Sequence, residues 1–133
     1  MKLALLLLLL AGESPLIWNP ATIQWQRHDP DGTRYAVLDG DRSRPGQPFT
    51  YAFYLPGGVW VKPHTHTQQA HVTVVKGSLR IGWGKAFDKS KTHLLRAGDT
   101  FIVRAGDAHF EGSDEECVII GVALGGWKTT ELE

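Results

Sequence analysis

From Pro20 onward, apolar residues come in short runs rich in Val, Ile, Phe, Tyr and Trp, broken about every ten residues by Gly, Pro or Asp. No stretch carries a sustained apolar stripe at helical spacing. The pattern predicts strands over Arg34–Leu38, Phe49–Leu55, Trp60–Val61, His71–Lys76, Leu79–Trp83, His93–Arg96, Thr100–Val103, Ala108–Glu111 and Val118–Ala123. Between them stand Asp31-Gly32, Asp39-Gly40, Pro56-Gly57-Gly58, Lys76-Gly77-Ser78, Ala97-Gly98-Asp99 and Ala105-Gly106-Asp107, residues that set turns or tolerate positive φ. This rhythm predicts an all-β sandwich or barrel. Lys85–Lys91, with Phe87 as its one large apolar residue, reads as a solvated loop or a single turn.

A chain of 133 residues fits one domain. Lys2 followed by the apolar run Leu3–Ala11 predicts a secretory signal over residues 1–12, leaving 13–133 as the domain and a periplasmic or extracellular location. A cytoplasmic chain with a buried amino terminus is the alternative. The run is too short to cross a bilayer, so stable membrane insertion is not expected. Fourteen Lys plus Arg balance fourteen Asp plus Glu, which lacks the positive excess that nucleic acid selects for. Cys117 is the only cysteine, so intramolecular disulfides and Cys-pair metal sites are excluded, and its neighbours Val118, Ile119 and Ile120 predict a buried, inert thiol. Any metal must be held by imidazole or oxygen.

His64 and His66, one residue apart, leave the same face of an extended backbone and can share a cation. Around them stand Gly58, His71 and Gly77, and downstream Gly98, Gly106 and His109. With these spacings the chain resembles the cupin superfamily. Gly58, His64, His66 and Gly77 match its first motif, and Gly98, Gly106 and His109 its second, with Arg104 in place of a Pro and Ser113 in place of an Asn. The stretches His71–Gly77 and Gly82–Asp88 are similar to those of small single-domain bacterial cupins of undefined function. The resemblance implies a double-stranded β-helix, a jelly-roll barrel of two antiparallel sheets, holding one divalent transition metal: Fe, Cu, Ni, Mn or Zn. Ala70 stands where the relatives carry a Glu ligand. Counted forward from His66, His71 takes the third ligand position; counted back from Gly77, Ala70 does; a bulge at Gln68 or Gln69 would favour His71, and Gln69 is an oxygen-donor alternative. The implied ligand set is His64, His66, His71 and His109, four neutral donors whose affinity falls as pH drops toward about 6.

Glu111, two residues beyond His109, shares its face if the strand is regular and is either a proton acceptor near the metal or an exposed strand charge. Phe49, Tyr51 and Phe53, with Phe101, Phe110 and Trp60, form an aromatic wall or ordinary core. Arg80 and Arg104 either bind a substrate carboxylate or pair on the surface. His28 reads as a solvated loop residue and His93 as a surface or satisfied strand residue. The resemblance implies a metal-dependent dioxygenase or isomerase acting on a small organic molecule, or else a non-catalytic module that binds or senses a small ligand or metal. Pairing into a homodimer through an outer sheet face is also expected.

Overall fold

The computed structural model describes residues 16–133. The expected export signal, residues 1–12, lies outside them. Eleven strands follow in chain order: β1 (Arg27–His28), β2 (Arg34–Asp39), β3 (Pro48–Leu55), β4 (Trp60–His66), β5 (Ala70–Lys76), β6 (Ser78–Trp83), β7 (His93–Arg96), β8 (Thr100–Val103), β9 (His109–Gly112), β10 (Cys117–Leu124) and β11 (Thr129–Glu131). They form two antiparallel sheets, β1-β2-β3-β10-β5-β8 and β11-β4-β9-β6-β7. No helix occurs among the described residues, and none is long and apolar enough to cross a membrane.

The inner face of the larger sheet follows the two-residue period of its strands. Ala70, Val72 and Val74 on β5, and Cys117, Ile119 and Ala123 on β10, are buried with Phe49, Tyr51 and Leu55 of β3. Gly77 turns β5 into β6 at φ +71, and a Cβ there would meet the Glu116 carbonyl, so only glycine fits.

Two elements depart from the expected strands. Arg27–His28 is a short edge strand against Arg34 and Tyr35, so His28 lies on a strand, yet it is exposed. Thr129–Glu131 pairs with His64–His66, an edge that Thr and Glu residues near the end of the chain did not signal. As expected, Lys85–Lys91 is a loop, but Phe87 is not idle in it. Its ring packs edge-on against Trp60 and Phe110, at 5.8 and 5.3 Å, and covers the outer face of the smaller sheet.

Candidate metal centre

β4 and β9 lie side by side in the smaller sheet, with Val61 opposite Glu111 and His64 opposite His109. Two residues lie between the partners on β4 but only one on β9, so β4 carries one extra residue at Lys62–Pro63. In a regular strand Val61 and His64 would face opposite ways. The bulge puts both, and then His66, on the inner face, and it accommodates a proline that cannot donate to a ladder. On β9, plain alternation turns His109 and Glu111 inward and Phe110 outward.

The three imidazoles converge. Ring centres lie 4.2 Å apart for His64 and His109, 4.9 Å for His64 and His66, and 5.0 Å for His66 and His109. Each offers a ring nitrogen within 4.8 Å of the other two. The opposite side of each ring is anchored. His64 Nδ1 donates to the Lys62 carbonyl at 2.7 Å, His109 Nδ1 donates to the Asp107 carbonyl at 3.0 Å, and His66 Nδ1 lies 3.0 Å from the Thr129 hydroxyl. A carbonyl only accepts, so His64 and His109 carry their proton on Nδ1 and keep a lone pair on Nε2. That is how metal-binding imidazoles are oriented by their outer partners. The turn before β9 is tied in as well, since the Gly106 amide donates to the His66 carbonyl at 2.9 Å.

Glu111 stands beside the group. Its Oε1 lies 3.8 Å from His64 Nε2 and its Oε2 4.0 Å from His109 Nε2, beyond hydrogen-bond range in both cases. Glu111 is 8% exposed, and Oε2 has no hydrogen-bond partner among the described residues. A buried carboxylate oxygen without a partner is costly. The three imidazole nitrogens, all within 4.8 Å of one another, can converge on a single transition-metal ion with bonds of roughly 2.0–2.2 Å, and the Glu111 carboxylate stands beside them. The residues present therefore fit a divalent metal: three neutral nitrogens, with a buried carboxylate close by. The site lies in a cavity of about 590 Å³ between the sheets, walled by Tyr51, Phe53, Phe101 and Trp127.

No family model matches the chain. No curated protein matches it. Solved structures do. A cupin-like protein from Thermotoga maritima superposes with a TM-score of 0.68 at 16% identity, over 84% of this chain and 87% of the other. The fold is that of the cupins. An uncharacterised conserved protein with a double-stranded β-helix domain from Klebsiella pneumoniae gives 0.62 at 18% identity, over 81% and 92%. A salicylate 1,2-dioxygenase mutant from Pseudoaminobacter salicylatoxidans gives 0.63 at 12% identity, over 79% of this chain and 32% of that one. In cupin terms, the inner face of the barrel is where the expected site residues were to meet.

Of the four expected imidazole ligands, three meet there and one does not. His71 is exposed on the outer face of β5, its Nε2 3.1 Å from the Gln69 amide nitrogen, and it is no part of the cluster. The register from Ala70 to Thr73 is regular on both sides, and the bulge in β5 comes only after Val74. Ala70 therefore faces the cavity, and the expected fourth imidazole is corrected to a methyl group. Gln69 is exposed as well. Tyr51, Phe53 and Phe101 do wall the cavity, while Trp60 and Phe110 lie on the far side of their sheet under Phe87. Arg80 pairs with Asp114 at 2.6 Å, and Arg104 is exposed outside the cavity. His93 is exposed on β7, its ring 6.0 Å from Trp83. The sequence reading missed Thr129, Trp127, Tyr35 and Arg42, all of which line the cavity.

Burial sets the charge state of the centre. His66 is pushed down to about 3 and His109 to about 4, chiefly by desolvation and then by the neighbouring His64. Burial raises Glu111, against the pull of His64. An unfolded chain protonates its histidines near 6.5, so between that value and about 4 it binds protons that the folded metal-free chain refuses. Stability of the metal-free protein is thus expected to fall as pH drops through this window. Glu111 acts in the opposite sense, its share being present at low pH and lost as pH rises through its folded value. With two imidazoles against one carboxylate, melting of chelator-treated protein should show a net fall in Tm from pH 7 to 4. A rise would contradict the buried neutral imidazoles. Proton competition at these two ligands also begins lower than the pH of about 6 expected for ordinary histidines.

Proposed function

We propose that this protein is a metal-dependent enzyme, a dioxygenase or an isomerase, acting on a small organic molecule. The observation that carries the reading is the trio of imidazoles, anchored through their Nδ1 sides and flanked by an unpartnered buried carboxylate, inside a cavity between the two sheets. His64, His66, His109 and Glu111 would hold one divalent transition metal. When bound, such an ion supplies Lewis acidity or, as iron, copper or manganese, redox chemistry with dioxygen. The chain's own residues do the rest. Lys62, Asp107 and Thr129 fix the ring orientations, Glu111 would offset part of the ion's double charge, and Tyr51, Phe53, Phe101 and Trp127 wall the cavity beside the imidazoles. The fold likeness to a dioxygenase supports the reaction class by analogy.

A second reading, a non-catalytic binding module, is favoured by one observation. With Glu111 engaged as a ligand, the metal end offers no free carboxylate to act as a base, and burial moves the Tyr51 hydroxyl further above its ordinary value. The test loads the protein separately with Fe(II), Mn(II), Ni(II) and Zn(II). Oxygen uptake and, under argon, isomerisation by NMR are then followed across small hydroxy acids, keto acids and phenols. Turnover that His109→Ala abolishes is the expected result; no turnover in any fully loaded form would replace the enzyme with the module.

Two further proposals concern the surroundings of the site. Export is proposed from residues 1–12, and cell fractionation finding the full-length chain in the cytoplasm would overturn it. Pairing of two copies is proposed across the row of Ile102, His71 and Val122, where both aliphatic neighbours of His71 are 46% exposed. A single-chain mass by light scattering at tens of micromolar would remove it.

A further inference from the structure

The cavity has a second polar feature besides the metal centre. Arg42 stands in the loop between β2 and β3, lines the cavity, and places its guanidinium carbon 5.3 Å from the centre of the Tyr35 ring. The loop is held firmly. The Arg42 carbonyl accepts the amides of Gly126 and Trp127 at 2.9 and 3.3 Å, and the Gly125 amide donates to the Gln47 carbonyl at 2.7 Å. A Cβ at Gly125 would fall 2.0 Å from the Arg44 carbonyl oxygen, so this turn packs directly against the loop. Arg42 is thereby fixed relative to Trp127, whose ring lies 4.2 Å from that of His66.

The other charges at this rim are already engaged or exposed. Arg27, also over Tyr35, is paired with Asp29 at 3.0 Å. Asp31 accepts both the Thr33 amide and its hydroxyl. Glu131 is exposed on β11. Arg42 has no ion pair among the described residues. From Arg42 to the imidazoles runs a continuous aromatic wall: Tyr35 stacks on Tyr51 at 5.8 Å and 22°, and Tyr51 meets Trp127 at 5.9 Å. A half-buried guanidinium without a carboxylate of its own is a planar fork suited to bidentate binding of one.

We propose that Arg42 binds the carboxylate of this cavity's ligand, a small organic monoanion whose apolar or planar body lies along Tyr35, Tyr51 and Trp127. One free guanidinium, with Glu131 and Asp31 at the same rim, matches a single negative charge rather than the nearly two of a phosphate monoester. The inference rests on reading the cavity as a ligand site and adds the class of molecule that enters it.

The test is calorimetric titration of the full chain with benzoate and hexanoate, and with benzamide and hexanamide as neutral counterparts. Wild type, Arg42→Met and Arg42→Lys are compared, each zinc-loaded and metal-free. At least one acid is expected to bind wild type about ten-fold more tightly than its amide, with or without zinc. That preference vanishes in Arg42→Met, survives in part in Arg42→Lys, and changes without loss of zinc. Equal binding of acid and amide, no binding of either acid, or a preference that Arg42→Met retains would overturn the proposal. So would a preference seen only with zinc, which would place the carboxylate on the metal, or a lowered Tm with acid and amide weakened alike, which would make Arg42 structural. Failure of zinc to bind while the Arg42-dependent preference persists would count against the metal reading alone.

Discussion

His109→Ala is expected to lower the affinity for a divalent transition metal by at least about 100-fold, more than the roughly 10–100-fold of losing an outer-shell partner. His109 stands directly opposite His64 across the β4–β9 pair, 3% exposed, its Nδ1 fixed by the Asp107 carbonyl. Removing its ring leaves His64, His66 and Glu111 with a gap that no neighbouring donor fills. The matched control is His71→Ala. On the outer face of β5, away from the cluster, His71 can be lost with metal content unchanged. Competition titration with a chromophoric chelator reads both variants. Loss of metal in His71→Ala, or its retention in His109→Ala, would reverse the ligand assignment.

The second large effect belongs to Glu111, and its two readouts move in opposite directions. Glu111→Gln is expected to weaken Mn(II) or Fe(II) binding about ten-fold or more while weakening Cu(II) and Zn(II) less, because a carboxylate favours the harder ions. The same change should raise the Tm of the metal-free protein, since an orphaned buried carboxylate is replaced by a group with no charge to desolvate. A function for the carboxylate explains why a destabilising group stands there. Ala70 faces the same cavity from the opposite sheet, so adding Ala70→Glu to Glu111→Ala should recover part of the lost affinity. Equal metal affinity in wild type and Glu111→Gln would leave Glu111 as a proton-handling group and the ion with three imidazoles alone.

How far the residues themselves announced this site depends on where the backbone is regular. Alternation along His109-Phe110-Glu111 put His109 and Glu111 on one face, as the strand pattern expects. The His64/His66 pair was legible from its spacing, but its inward aim depends on the bulge at Lys62–Pro63, and a bulge leaves little trace in sequence beyond a proline inside a strand. At Ala70 and His71 two countings conflicted, and the regular register of β5 decided for Ala70 because the bulge lies after Val74 instead of before Ala70. Between cavity wall and ordinary core, the sequence left Trp60 and Phe110 open; they pack on the outer face because Phe87, in a Lys-rich loop, offers that face an apolar cover that composition hides. Arg42 and Trp127 belong to loop and turn segments joined by backbone hydrogen bonds between residues more than eighty positions apart, a contact that no local pattern encodes.

The most direct test of the metal centre is X-ray absorption on the full-length protein, loaded in turn with Mn(II), Fe(II), Ni(II), Cu(II) and Zn(II), beside elemental analysis. The predicted result is one ion per chain with a first shell of nitrogen and oxygen only, at about 2.0–2.2 Å. Outer-shell scattering should correspond to three imidazoles and fall to two in His109→Ala. No stoichiometric uptake of any of the five ions, or a bound ion whose imidazole count does not change in that variant, would contradict it.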